Sequence, residues 1–374
     1  MNLALSDEQI LLREAAQTAL SRHRTLEAAR AGLEDPAARL DLWPTAVEAG
    51  WPGLLVSEAR GGAELGAFDA MLVAEECGRV LAPVPLLGLL PATAILDAAG
   101  HPSTERLAGG EGRAAFVPAR PPCSREPRWT AEPDRGLTRA ALPAVSVSGQ
   151  EATLHGAVPF VPDLPGAEEI VLAGAGEDGA PVVVLLDARA EGVAVEPVIR
   201  YDATRPLGDL RLNGARGEVL GVGEEVLADA WYLGQALIGA ESIGSVQACL
   251  ERSVAYAKER FTFGRAIGSY QAIKHELVEI LRRLENARGL QYYAGWARES
   301  APEEFPLAAC ALRSAAGEAL DFAARAMINV HGGIGATWEH DAPLYFRRAE
   351  LSRRLLGGTR DATDRVAECT LAVA

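Results

Sequence analysis

The segment Arg260-Phe261-Thr262-Phe263-Gly264 carries groups suited to an anionic, phosphate-bearing ligand. The guanidinium of Arg260 is a planar fork that matches a pyrophosphate. Thr262 adds a hydroxyl donor, Phe263 an aromatic surface, and Gly264 a place where backbone can approach closely. A second set follows in Asn329-Val330-His331-Gly332-Gly333-Ile334-Gly335, where glycines expose backbone N–H groups able to hold an anionic cofactor. Each set has a plainer reading. Arg260 and Gly264 also suit a helix end, and a glycine cluster after a helix is most often a terminator. The third candidate is a carboxylate. Glu241 lies in the otherwise apolar stretch from Ala236 to Ala248. A lone carboxylate among Ala, Ile, Gly and Ser would be partly desolvated, as a general base should be. Gly244 and Ser245, one turn later, could leave room for a ligand. The alternative is a buried glutamate paired with an arginine from another helix.

These residues need a frame. Residues 1–112 read as a helical domain. Ser6 and Gln9 form a plausible capping box, and Leu11, Leu12, Ala15, Ala16 and Ala19 recur on one helical face. The stretch LDLWPTAVEAGW reads as a helix ending at Gly50, and AFDAMLVAEECGRVLAPVPLL as another, closed by Gly78 and then by prolines. Residues 113–222 change character. Short apolar runs such as EIVLAGA and APVVVLLDA alternate with Gly, Pro and Asp, which predicts a β-domain, barrel or sandwich. Residues 223–374 return to helix. Three long periodic segments, the first about ten turns long, and two shorter ones predict a four-helix bundle. Glu241 and the phosphate-type motifs all fall in this bundle.

Composition excludes several classes. The chain has 374 residues, 49% hydrophobic, enough for a large core. Its 51 acidic and 36 basic residues give a formal charge of −15, opposite in sign to a nucleic-acid binder. The cysteines, Cys77, Cys123, Cys249, Cys310 and Cys369, are odd in number and form no C-x-x-C, which argues against a disulfide framework or zinc site. A reducing, cytoplasmic setting is expected. The N-terminus meets charge within seven residues, so no signal peptide is expected. No apolar run of about 18 residues occurs, so no membrane partner is expected either. His331 and His340 flank a turn without other clustered ligands, and a structural role is expected of them. Glu276, Glu279, Arg282 and Arg283 read as a solvated helix face.

The motifs YAKERFTFGRAIGSYQAIKH (256–275), INVHGGIGATWEH (328–340) and LYFRRAELSRRLLGGT (344–359) resemble, in this order, the acyl-CoA dehydrogenase family. SDEQ, LWPTAVEAGW and EECGRV resemble its weaker N-terminal signatures, so the resemblance spans the chain. It implies an α+β multi-domain fold: N-terminal helical domain, central β-barrel or sandwich, C-terminal four-helix bundle. It implies FAD as cofactor, an acyl-CoA substrate, a related subunit as partner and an electron-transfer flavoprotein as electron acceptor. By the family pattern, Arg260, Thr262 and Phe263 contact the cofactor, as does Gln271. The turn with Gly332 and Gly333 meets the adenine-nucleotide end of the FAD of a neighbouring subunit. Asn329 stands where a glutamine is usual.

The chain departs from the family where chemistry needs a carboxylate. One usual place is the turn before Gly-Thr near the C-terminus, which holds Gly357, or Leu356 when counted from Arg347. The other holds Gly234, and Gln235 beside it stands where many members carry arginine. Glu241, nearly two turns after Gly234 on the same face, becomes the expected catalytic base. The family's Thr-Glu-Pro and Gly-Ser-Asp stretch is replaced by VPARPPCSREPRW (117–129), and its tryptophan-x-threonine segment by VPFVPDLPG (158–166). This resembles some actinobacterial members that work as heterotetramers of unlike subunits on bulky, steroid-type acyl-CoA esters. Two expectations follow: a subunit of a heteromeric dehydrogenase, or a non-catalytic partner that supports a neighbour's FAD.

Overall fold

The structure is a computed structural model that describes residues 4–118, 120–122, 124, 130–131, 139–198 and 202–371. The N-terminal region holds α1 (Asp7–Ser21), α2 (Thr25–Glu34), α3 (Trp43–Glu48), α4 (Ala67–Arg79), α5 (Leu86–Ala98) and α6 (Ser103–Ala108). The capping box is present: Ser6 Oγ accepts from Gln9 N at 3.2 Å, and Ser6 N donates to Gln9 Oε1 at 3.1 Å. Helix α1 buries Ala16 and Leu20 against α4, whose Glu76 and Asp69 accept hydrogen bonds from Gln17 and Gln9. The prolines taken as closing one helix precede a further one. Helix α5 carries Pro91 inside it and is buried nearly all round, which hides the amphipathic signal by which a surface helix is recognised.

The central region contains β1 (Ala114–Val117), β2 (Thr130–Ala131), β3 (Arg139–Ala140), β4 (Ala144–Ser148), β5 (Glu151–Pro162), β6 (Glu169–Ala175), β7 (Pro181–Asp187), β8 (Val193–Val198) and β9 (Leu207–Val219). Strands β4, β5, β9, β7 and β6 pair in a closed cycle, so of the two expected forms the sheet is a barrel. Alternation along its strands sorts two cores. Ala115, Val117, Ile170, Leu172, Val184 and Leu186 fill the barrel. Their neighbours Ala114, Phe116, Val171, Ala173 and Val183 point outward against α5. Both faces of these strands are therefore buried, which is why they read as continuous apolar runs.

The C-terminal region holds α7 (Glu224–Glu259), the hairpin β10 (Phe261–Thr262) and β11 (Arg265–Ala266), then α8 (Gln271–Ser300), α9 (Phe305–His331), α10 (Ala342–Ser352) and α11 (Gly358–Leu371). Helices α7, α8 and α9 pack on one another, with α10 and α11 against α9. Helix α7 is the axis of the molecule. It is buried without a break from Ala230 to Val246, because α4 and α5 cover the side that α8 and α9 leave open. Helix α4 crosses α7 at backbone contact: a Cβ on Gly244 would lie 1.8 Å from Glu75 O, and one on Gly78 would lie 2.0 Å from Glu241 O. Ser245 Oγ donates to Gly78 O at 2.8 Å. The small residues expected to leave room for a ligand instead admit a helix.

Candidate functional site

The residues of the phosphate-type motifs gather at one end of the bundle. Helix α7 ends there, α8 begins there and α9 ends there, tied by tilted ring contacts of His331 with Tyr256, centroids 4.4 Å apart, and with His340, 4.1 Å apart. Burial lowers the pKa of both histidines, and His331 further lowers that of His340. Between β10 and β11 the turn residues Phe263 (φ 53°) and Gly264 (φ 79°) both have positive φ, as a tight hairpin turn of this hand requires. Glycine meets that requirement freely. Phenylalanine does so at a cost of about 1–2 kcal/mol. The hairpin is braced from behind, since Tyr270 Oη donates to Thr262 O at 3.0 Å and Arg265 lies 4.0 Å over the Tyr270 ring.

Arg260, Phe263, Gln271, Asn329, Gly332 and Gly333 are all exposed, and Thr262 is half-buried. Phe263 is 91% exposed, with Phe261, Ile334 and Trp338 also open to solvent. Gly332 has φ 63°, and a Cβ on Gly264, Gly332 or Gly333 would meet nothing within 4 Å among the described residues. The surface thus offers a guanidinium, the first N–H groups of α8 and open glycine backbone, rimmed by apolar side chains. This donor set suits a pyrophosphate.

Glu241 is placed differently from the lone base expected. It is buried, and Arg205 donates to its Oε2, with Arg348 Nη1 at 3.7 Å from the same oxygen. Arg348 Nε also donates to Asp202 Oδ2 at 2.7 Å and its Nη2 to Thr204 O at 3.1 Å. Asp163 belongs to the same cluster, its Oδ2 accepting from Gly88 N at 2.9 Å. Burial pushes Asp163 up to about 6, against the pull of Arg205 and of the Gly88 amide. Burial acts on Asp202 in the same sense, but Arg348 and Thr204 more than offset it and hold that carboxyl below its usual range. The cluster joins all three regions: Asp163, Asp202 and Arg205 from the barrel side, Glu241 and Arg348 from the bundle, Gly88 from α5. The paired reading of Glu241 is the one this geometry supports. Its partners lie in the barrel region and on α10, so the apolar neighbours along α7 gave no sign of them.

A cavity of about 450 Å³ opens nearby, between α7, α9 and α11 and the chain beyond β1. Trp231, Tyr232 and Gln235 line it from α7, Leu356 and Asp361 from the other side, and Pro121 from the barrel side. The turn at 356–358 has positive φ at Leu356 (48°), Gly357 (83°) and Gly358 (79°). Buried side chains hold its carbonyls. Gln235 Nε2 donates to Leu356 O at 2.9 Å, and Arg313 Nη2 donates to Ser352 O and to Leu355 O. Burial, with Arg205 adding to it, lowers Arg313 to about 10. Of the positions where a carboxylate is usual, 357 lies in this turn and 234 faces it: a Cβ on Gly234 would lie 3.1 Å from Leu356 Cδ1. Sequence reasoning found the turn but not Trp231, Tyr232 or Asp361. The segment 117–129, expected to depart from flavin-ring contacts, lies in part outside the described residues.

Comparison with known proteins gives the same frame. The model of the acyl-CoA dehydrogenase N-terminal domain matches residues 6–103, and that of the C-terminal domain matches residues 221–368. A protein of Mycolicibacterium smegmatis named acyl-CoA dehydrogenase IpdE2 is 31% identical over 368 residues, covering 97% of this chain and 98% of that protein. Its namesake in Mycobacterium tuberculosis is 31% identical over 96% of each chain. Among solved structures, a variant of the Tcur3481-Tcur3483 steroid ACAD is 25% identical with a TM-score of 0.85, covering 98% of this chain and 99% of that one.

Proposed function

The chain belongs to the acyl-CoA dehydrogenase family, and from that premise we propose that it is one subunit of a heteromeric flavoenzyme that desaturates a bulky, steroid-like acyl-CoA thioester. FAD, the family's cofactor, supplies the acceptor for the hydride that leaves Cβ. The observation that carries the subunit reading is the bare end of the bundle. Phe261, Phe263, Ile334 and Trp338 stand exposed around Arg260 and the open glycines, a costly arrangement for a free surface and an ordinary one for a subunit interface. Arg260 and the α8 N-terminus would hold the pyrophosphate of a dinucleotide shared with the neighbouring subunit. Gly332 and Gly333 would let its backbone approach. Trp231 and Tyr232 would wall the reacting end, where Gln235, whose Oε1 has no hydrogen-bond partner among the described residues, can accept from a ligand N–H. The likeness to a steroid ACAD over nearly the whole chain supports a steroid-type substrate. An electron-transfer flavoprotein is the electron acceptor this reading implies.

A second reading, a partner without chemistry of its own, draws on glycine at both 234 and 357. The test is expression alone and together with related subunits, followed by a flavin count per chain. A colourless chain that becomes yellow in a complex of unlike subunits supports the proposal. In that complex, Phe263→Asn should leave folding of the isolated chain intact, since asparagine tolerates positive φ, while weakening assembly by about 2 kcal/mol, roughly thirtyfold. A yellow homo-oligomer that turns over short straight-chain acyl-CoA would refute it.

A further inference from the structure

We propose that Asp361 is the carboxylate that removes the substrate α-proton in this chain, replacing the side chain absent at Gly357; the proposal rests on the dehydrogenase reading above. Helix α11 begins at Gly358, and Asp361 lies in its first turn. Side chains on a helix lean toward its N-terminus, so Asp361 reaches back over the turn. A Cβ built on Gly357 would lie 2.5 Å from Asp361 Oδ2 and 3.2 Å from its Cβ and Cγ. The space where a side chain at 357 would start is therefore filled by this carboxylate. Glycine at 357 is required twice over, by φ 83° and by Asp361 itself.

Three features make the position a site. Asp361 lines the same cavity as Trp231, Tyr232 and Gln235. Gln235 is 2% exposed, and among the described residues its Oε1 has no hydrogen-bond partner, while Nε2 is fixed on Leu356 O. That is a buried acceptor waiting for a donor at the cavity wall. The platform is also held firmly, because Arg313 and Gln235 pin the carbonyls of residues 352, 355 and 356. In the step, the Cα–H bond breaks and its proton goes to an Asp361 oxygen. The electron pair would become the second Cα–Cβ bond, and hydride would leave Cβ for the flavin that the family carries as oxidant, so that the thioester is oxidised and the flavin reduced.

The test separates proton removal from redox turnover. The enzyme, with its partner subunit, is incubated without oxygen in deuterium oxide with butyryl-CoA and with cholyl-CoA, and α-deuterium uptake is read by mass spectrometry. Wild type should exchange the α-proton. Asp361→Asn should lose exchange by about a hundredfold or more while keeping its flavin absorbance, and Asp361→Glu should retain a measurable part. Wild-type exchange in Asp361→Asn, loss of bound flavin in that variant, or an Asp361→Glu as inactive as Asp361→Asn each overturns the proposal. So does a wild type that binds the thioesters and exchanges neither. A wild type that binds neither thioester overturns the dehydrogenase reading on which the proposal stands.

Discussion

Glu241→Gln discriminates sharply between a base and a structural ion pair. Glu241, Arg205 and Arg348 are each no more than 5% exposed. Removing one partner of a buried pair typically costs about 3–5 kcal/mol, because the remaining charge stays out of water. The loss does not fall evenly here. Arg348 keeps Asp202 at 2.7 Å and the Thr204 oxygens, so most of the burden falls on Arg205. Glutamine can still accept from Arg205, and Asp163 lies close enough to feel that guanidinium. These compensations put Glu241→Gln near the low end, about 3 kcal/mol, and Glu241→Leu toward the high end. If 1 kcal/mol shifts Tm by about 2–4 °C, the glutamine variant should melt on the order of 6–12 °C lower. Differential scanning calorimetry reads the shift, and α-proton exchange per folded chain should be unchanged. A variant that melts within about 1 °C of wild type, holds flavin and no longer exchanges would refute the structural reading and restore Glu241 as base.

Two further outcomes follow from the same contacts. Gly244→Ala should destabilise by roughly 3 kcal/mol or abolish soluble expression, because its Cβ would meet Glu75 O at 1.8 Å and backbone cannot retreat. Gly289→Ala, on the exposed face of α8 with nothing within 4 Å, is the control and should stabilise by about 0.5–1 kcal/mol in the same melt. Asp163 sets a pH dependence. Its folded pKa of about 6 exceeds the ordinary 3.8, so the folded state holds this proton more tightly. Its contribution is full below about pH 4 and is lost as pH rises through 6, a swing on the order of 3 kcal/mol. Melts between pH 4 and 6 should therefore show wild type losing stability relative to Asp163→Asn, and parallel curves would contradict the assignment.

Much of the fold was legible because it is locally encoded. The capping box at Ser6, the long helical periods of α8 and α9 and the turn-punctuated strands each declare themselves within a few residues. Closure of the barrel does not, since it depends on pairings such as Ala144 with Ala175 and Val184 with Val219, remote in the chain. Helix α5 escaped because Pro91 reads as a breaker and all-round burial removes the period. The room expected at Gly244 and Ser245 for a ligand is taken by α4, because small residues open space without specifying what fills it. Asp361 gave no signal at all. A single aspartate in the first turn of an amphipathic helix is an ordinary residue there, and its meaning depends on its filling the space of the side chain that Gly357 lacks.

The cavity and the charge cluster are one design problem. The cavity has walls from two bodies, α7, α9 and α11 on one side and Pro121 with its neighbours on the barrel side, so its width depends on how the barrel seats against the bundle. An apolar interface alone resists separation but tolerates sliding, because the hydrophobic effect is non-directional. Arg205 and Arg348 reach across that interface to oriented carboxylates, and such contacts are sensitive to angle as well as distance. A buried ionic cluster is a poor source of net stability and a good source of register. Glu241 thus fixes the seat of the barrel from outside the cavity, while Asp361 stands on the bundle itself, in the first turn of α11 against Gly357.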